Sequence, residues 1–379
     1  TYSWLVNGKE YSTEPTFSYK IDNPCRADLS CIIKNKYGKV EMSTSFSSNH
    51  NFSKGFFYVA DGTFNFYDTE KKTAYQDCYA SLNAGKTLGI GNYDSANIIH
   101  SNGKFYLLVG TSTSNRDHFY IVDAKTLYYE NSAVVGANLS GLTILNEQYG
   151  LVTGDGIRRI DLKSLNNVRI KNERLLCFYN SIIYNGKVLS NDTYKDESKV
   201  KYYDVNELIA AKEGEAPAVT ELDIIQKQKI NFVLAKDGNV YTLESADNGC
   251  NIVKIKNDFT LEKVFANFQP AKGPYHSSPT IGMVASETEN IIYLVSTDGA
   301  IYKYILGDSD SLKAPFIAAE SGVSITAPLQ LNQQSGELYV TYTEERKDES
   351  KIVVYSKDGK VLHTVDCGES VPSQILFNN

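Results

Sequence analysis

The chain alternates short apolar runs with polar clusters holding Gly, Asn and Asp, and no long segment keeps apolar residues at helical spacing. The best helical candidate is brief, Val205 to Lys212 (VNELIAAK). Elsewhere one unit recurs. A short strand reaches a tight turn, and a Tyr-rich or Val-rich strand follows. A polar loop then leads to a third strand that ends in Asp or Lys before another turn. The unit is clearest from Ile98 to Leu127 (IIHSNGKFYLLVG, then HFYIVDAKTL). It recurs from Ile182 (IIYNGKVLSND), Asn231 (NFVLAKDGNVYTLES), Met283 (MVASETENIIYLVSTDGAIYKYIL) and Leu329 (LQLNQQSGELYVTYT). A weaker copy starts at Leu142, and the first is GFFYVADGTFNFYDTEKK from Gly55.

These are seven copies of a hairpin. Taking Tyr106, Tyr241, Tyr293 and Tyr339 as equivalent gives intervals of 52 and 46 residues for the last two steps. The 135 residues from Tyr106 to Tyr241 hold three steps of about 45, the period of a four-stranded blade. Stacked blades cover both faces of each sheet, so runs such as FYLLV and IIYLV can be apolar throughout. Asn102-Gly103 and Asn185-Gly186 suit two-residue hairpin turns, and Asp237-Gly238 is of the same kind. The pattern predicts an all-β chain, a seven-bladed β-propeller over residues 49–379. The first copy lacks an innermost strand, and the terminal VPSQILFNN offers one. Residues 373–377 are therefore expected to complete blade one beside Gly55 to Asp61, leaving no open sheet edge.

Residues 1–48 read as a separate small β-module. A strand with a buried-type Trp4 meets an Asn7-Gly8 turn, and a later hairpin turns at Tyr37-Gly38. The runs YSWLVNGK, STEPTFSY and IKNKYG resemble the PKD-like, immunoglobulin-type modules of bacterial surface proteins. Two strands that usually precede the Trp are missing, so the module is expected to be incomplete. The resemblance implies a spacer.

Composition narrows the function. The net charge is −7 with a pI near 5.4, which argues against nucleic acid and against an anionic membrane surface. No stretch approaches eighteen apolar residues, so no transmembrane segment is expected. The start at Thr1 reads as a strand rather than a signal peptide, as in the body of a longer precursor. Six Cys stand at 25, 31, 78, 177, 250 and 367 without a C-x-x-C pair. They read first as small buried thiols, with a Cys25–Cys31 bridge as the alternative.

Chemistry-bearing patterns are sparse. No two of the five His share ligand spacing; His100 and His118 fall in one blade but read as ordinary polar positions. The GDSDS run at 307–311 has oxygens for a weak calcium loop, yet reads first as a solvated turn. GIGN at 89–92 is a turn, not a phosphate loop. One Trp cannot supply repeated S-x-D-x-G-x-T-W boxes or a quinone-docking series. No metal or cofactor is expected. The connections that build one mouth of the ring are rich in Tyr and amides, residues suited to recognition surfaces. Tyr93, Arg116, Tyr179, Tyr194, Gln228, Tyr275 and His276 are the candidate ligand-binding residues. The competing reading is that Tyr is simply the preferred strand residue of this chain.

The runs GFFYVADGTFNFYD, FYIVDAKTL, GIRRIDLKSL and VYSKDGKVL, with the closing VPSQILF, resemble the YncE-like, surface-layer-type propeller lipoproteins of Bacteroidetes. One branch of these, the BtuG propellers, binds cobalamin beside an outer-membrane transporter. The resemblance implies a cell-surface or outer-membrane location, a lipid anchor upstream of Thr1, and capture of a corrinoid, a glycan or a partner protein. A hydrolase or lyase whose site is gathered from several blades is the alternative, since such a site leaves no linear motif.

Overall fold

The computed structural model describes residues 1–20, 26–48, 50–83, 86, 88, 96–110, 116–136, 139–154, 156–171, 181–191, 198–215, 217–226, 231–271, 282–344 and 349–378. Nearly all regular structure among them is antiparallel sheet. The first sheet holds the strands Tyr2–Val6, Lys9–Ser12, Arg26–Asn35 and Gly38–Ser47 in the order second, first, third, fourth. Asn7 and Gly8 turn the first pair with positive φ of 52° and 79°. Trp4 is only half-buried. Its ring stacks on Phe17 at 5.9 Å, and its indole N–H donates to the Glu14 carbonyl at 2.9 Å.

Seven further sheets follow among the described residues. The second of these shows the plan: Ala96–Ser101, Lys104–Val109, Asp117–Asp123 and Tyr129–Gly136 pair in sequence order as a meander. The third runs from Leu139 to Lys171, the fourth from Ile182 to Gln226 and the fifth from Val233 to Phe268, each with four strands in order. The sixth has three strands, Met283–Ala285, Ile291–Val295 and Ile301–Ile305. The stretch after them contains Pro315 and keeps only isolated bridges, Ile305 to Asp308 and Ile301 to Ile317. In the seventh, Val323–Ile325 and Gln330–Leu331 both pair with Leu338–Glu344, and Pro328 lies in the break between them. Ser350–Tyr355 and Val361–Gly368 complete that sheet.

The remaining sheet joins the two ends of this series. Gly55–Ala60, Thr63–Asp68 and Thr73–Tyr75 lie in order, and Pro372–Leu376 pairs antiparallel with Gly55–Ala60 on the open side. A Cβ on Gly55 would stand 1.9 Å from the Tyr67 carbonyl oxygen, so the strand can start there only with glycine.

Packing follows sequence order. Each of seven apolar clusters lies between one of these sheets and the next, and the seventh returns to the first. Phe57 meets Phe64 and Phe66 of its own sheet and Phe105 of the next, with ring centroids 5.0 to 5.3 Å apart. On the other face of the same strand, Phe56 meets Tyr339 of the seventh sheet at 5.0 Å. Adjacent residues thus serve opposite neighbours, which is why these strands carry no alternation with polar residues. Burying each such ring contributes roughly 2–3 kcal/mol before entropy is counted.

Two short α-helices interrupt the pattern among the described residues. Val205–Ala210 starts at Asp204, whose carboxylate accepts from the N–H groups of Asn206 and Glu207 at 2.8 and 3.1 Å. Arg159 of the third sheet donates to the carbonyls of Ile209 and Ala211 at its other end. Cys78–Leu82 is a helix of five residues that the sequence pattern does not predict; Asp77 caps it from a left-handed conformation. No helix among the described residues is long and apolar enough to cross a membrane.

Candidate functional site

A meander sends alternate connections to opposite ends of its sheet. At one end lie the turns from first to second and from third to fourth strand. At the other lie those from second to third and from each sheet to the next. The first end is mostly closed by short turns; an exception is the fourteen-residue connection from Asp204 to Val219, which holds the helix Val205–Ala210. Asn102-Gly103 and Asn185-Gly186 turn with positive φ at both residues, 51° and 70°, and 47° and 72°. Asp68, Asp123 and Asp161 end the third strands there, and each accepts from two backbone N–H groups of the following turn at 2.7 to 3.1 Å. At the second end some connections stay at one or two residues, as from Ala60 to Thr63 and from Ala246 to Gly249, but four lengthen. Thirteen residues separate Leu82 from Ala96, seven Val109 from Asp117, ten Lys171 from Ile182, and fourteen Phe268 from Met283.

Buried and half-buried polar side chains gather near strand ends on this second side. Asn191, last of its strand, donates to Gln226 Oε1 at 2.7 Å. Gln226, also a strand end, donates onward to Thr242 Oγ1 at 2.9 Å and to the Leu243 carbonyl at 3.0 Å in the next sheet. Thr242 donates to the Asn231 carbonyl. The Asn231 amide then brackets Met283 of the sixth sheet, accepting from its N–H at 3.0 Å and donating to its carbonyl. Asp117, first of its strand and buried, accepts from the N–H of Leu139 in the third sheet. Gln374 brackets Ile98 in the same way, donating to its carbonyl at 2.7 Å and accepting from its N–H at 3.3 Å. Asn97 is 6% exposed and its Nδ2 has no hydrogen-bond partner.

Of the sequence candidates, Arg116 is exposed and stands beside Asp117 at the start of its strand. Tyr93, Tyr179, Tyr194, Gln228, Tyr275 and His276 lie outside the described residues. His100 pairs opposite Phe105 and His118 opposite Val109, at the two ends of the strand between them, so these two do not meet. The 307–311 run is a turn: Asp308 accepts from the Asp310 N–H as it caps the 3-10 turn Ser309–Leu312. Cys31, Cys78, Cys250 and Cys367 are free thiols, and burial pushes Cys250 up to about 11 and Cys78 and Cys367 up to about 12. Among the described residues no group of His, Cys, Asp or Glu could hold a metal ion.

The repeated Tyr residues belong to the closed side. Tyr106, Tyr241, Tyr293 and Tyr339 each pair with an innermost-strand residue: Ile99, Val233, Val284 and Gln330. Tyr241 donates to Asp237 at 2.9 Å and Tyr339 to Glu337 at 3.2 Å. Burial raises all four phenols, Tyr293 to about 12, so they stay protonated and structural. Burial alone would raise Asp237, but the Lys254 and Tyr241 bonds outweigh it and hold the carboxyl below its usual range. The carboxylates with resolved shifts are thus held ionised in turns and ion pairs. The strand-end set on the long-loop side is mainly neutral, amides and hydroxyls with one carboxylate, and Arg116 beside it. Such groups orient a polar ligand rather than move protons. Sequence reasoning missed them because their partners lie on a non-adjacent strand or in a neighbouring sheet, as Gln226 reaches Thr242; their one signal is an amide near the end of an apolar strand.

Packed four-stranded meanders whose last strand returns to the first define a β-propeller, and a solved Dos1 propeller is similar in fold. It has a TM-score of 0.50 and 10% identity, over 83% of this chain and 85% of that one. TolB from Acinetobacter baumannii matches with a TM-score of 0.43 and 10% identity over 84% and 80% of the two chains. Apo AztD from Citrobacter koseri gives 0.44 and 9% over 85% and 96%. No curated protein matches the chain. Residues 52–378 match the family described as Domain of unknown function (DUF5074), and the chain belongs to that family.

Proposed function

We propose that this chain is a non-enzymatic binding protein: a seven-bladed β-propeller whose long-loop end captures a ligand, carried behind a PKD-like spacer of residues 1–48. The observation that carries the reading is the asymmetry of the two ends. Turns capped by aspartates mostly close one end. At the other, four connections of seven to fourteen residues stand among shorter ones, and amides there tie strand ends to the next strand or sheet. Rigid walls with long variable loops are the usual arrangement of a recognition surface. Tyr93, Arg116, Tyr179, Tyr194, Gln228, Tyr275 and His276 all fall at this end in sequence, and their chemistry suits stacking with hydrogen bonding at the rim. A corrinoid or a glycan fits that chemistry best. Together with the resemblance of the repeats to surface propeller lipoproteins, this supports a lipid-anchored protein of the cell surface working beside an outer-membrane transporter.

The test is a calorimetric and thermal-shift screen of the whole chain against cobalamin, haem and oligosaccharides. Saturating ligand should raise the melting temperature by several degrees, since a hundredfold excess over Kd adds about 2.7 kcal/mol. Tyr93→Ala and Tyr275→Ala should abolish that shift without changing the melt of the free protein. Absence of any shift would remove the small-ligand reading.

A further inference from the structure

We propose that the ligand of the long-loop end is a neutral oligosaccharide, and that Asn97 and Thr153, on either side of the third sheet, each meet one of its hydroxyls. This rests on the capture reading above and names its ligand. Asn97 is the second residue of its innermost strand and Thr153 the last but one of its own, so both lie one residue in from the long-loop rim. Two residues join the second sheet to the third and one joins Gly154 to Gly156, so the strand ends themselves form the rim there. Asn97 is 6% exposed and Thr153 3%, yet Asn97 Nδ2 and Thr153 Oγ1 have no hydrogen-bond partner. A buried polar group without a partner costs stability, and its persistence calls for a cause.

The repeat sets Asn97 apart. Gln374 pairs opposite Val59 and Asn97 opposite Leu108, each partner the last but one residue of its strand. The two amides thus hold one register in successive sheets. Gln374 bonds both the N–H and the carbonyl of Ile98 in the next sheet. Asn97 also faces the next sheet, since Leu108 beside it packs in the cluster shared with that sheet, but its Nδ2 bonds nothing there. Thr153 faces the other way: its partner Ile157 belongs to the cluster shared with the fourth sheet. Its inner-strand partner is Gly141, which offers the hydroxyl no side chain. Thr143, on the same face, has its own hydroxyl bonded to Ser181.

Both atoms are buried, so the group that meets each is about as small as a water molecule. It must accept from an amide at one point and pair with a hydroxyl at the other. A sugar hydroxyl does both. The two seams lie one sheet apart, roughly 10 Å, and a chain of sugar rings carries hydroxyls at such spacings. The rim of a corrinoid is chiefly amides, which are bulkier. A charged ligand would bring an ion against neutral partners in a buried place.

The test is titration calorimetry and thermal melting of the whole chain with malto-, manno-, galacto- and xylo-oligosaccharides, with cyanocobalamin for comparison. At least one oligosaccharide should bind. Asn97→Leu and Thr153→Val should each weaken that binding at least about tenfold. The free variants should melt no lower than the parent, because each loses a buried group without a partner. Thr341→Val is the control. Thr341 Oγ1 is also buried without a partner but lies in the middle of its strand, so this variant should melt no lower and bind as the parent does. A lower melt of free Thr153→Val, which keeps the shape of the side chain, would mean that the protein or a resident water already satisfies the hydroxyl, and would overturn the proposal. Oligosaccharide binding that either substitution leaves intact would overturn it while sparing the capture reading, and so would binding of cyanocobalamin alone. No binding by any probe would overturn both.

Discussion

Asp68, Asp123, Asp161 and Asp204 occupy one place in four successive sheets, the last residue of the third strand, and each holds the backbone immediately C-terminal to it. A carboxylate accepting two backbone N–H groups is worth about 1 kcal/mol or somewhat more. Asp123→Ala should therefore lose about that much in a urea melt, and Asp123→Asn less, since the amide oxygen can still accept. The Asp161 carboxyl is held below its usual range, first by the Ser164 N–H, so it stays charged into mildly acidic solution. His50 behaves differently. Its ring is walled by Phe52, Phe66 and Tyr75 at 4.7 to 5.2 Å, with Asp68 3.7 Å away. Burial and Lys71 lower its pKa against the pull of Asp68. The unfolded chain therefore takes up this proton first as pH falls. Stability is full above the ordinary imidazole value of about 6.5 and falls as pH drops through it towards the folded value. His50→Phe should flatten part of the fall in melting temperature between about pH 7 and pH 5. His100, lowered by burial, should supply a remainder, so an unchanged slope in the double variant would refute this account.

At the scale of elements, strands that are apolar along their whole length were legible, because both faces of each sheet are covered. Phe105, Leu107 and Val109 face one neighbour, Tyr106 and Leu108 the other. The helix at Val205–Ala210 was legible too, with Asp204 before it and Glu207 in its first turn. The helix at Cys78–Leu82 was not, because five residues carry no period. The sixth sheet's lost fourth strand has a cause in Pro315, but a proline marks an interruption without saying what replaces the strand. The strand-end amides were least legible. Gln374 and Ile98 are 276 residues apart, and nothing local in either segment names the other. Gln374→Leu should leave the Ile98 N–H and carbonyl without their bracket and cost about 1–3 kcal/mol. A loss well under that would mean the two groups find other partners.

At the scale of the molecule, the strand Pro372–Leu376 supplies the open side of the sheet begun at Gly55, and Ile375 joins the apolar cluster between the last sheet and the first. Deleting residues 372–379 should lower the melting temperature of every sheet after the first module together, read by calorimetry as one shifted transition; an unshifted melt would mean that each sheet stands alone. The candidate ligand residues belong to another class of inference. Six of the seven fall in connections outside the described residues, and loop composition, unlike strand periodicity, does not fix where a side chain ends.

The pairing of Ala60 with Pro372 also has a meaning in time. The two are made 312 residues apart, which at ribosomal speeds of about 5–20 residues per second is roughly 15 to 60 seconds. Throughout that interval the edge at Gly55–Ala60 is without its final neighbour, and its sequence, GFFYVA, is apolar enough to accept a stranger. Folding of this protein is therefore a race between its own strand Pro372–Leu376 and every other strand in the compartment, and it should depend most on chaperones when translation is slow.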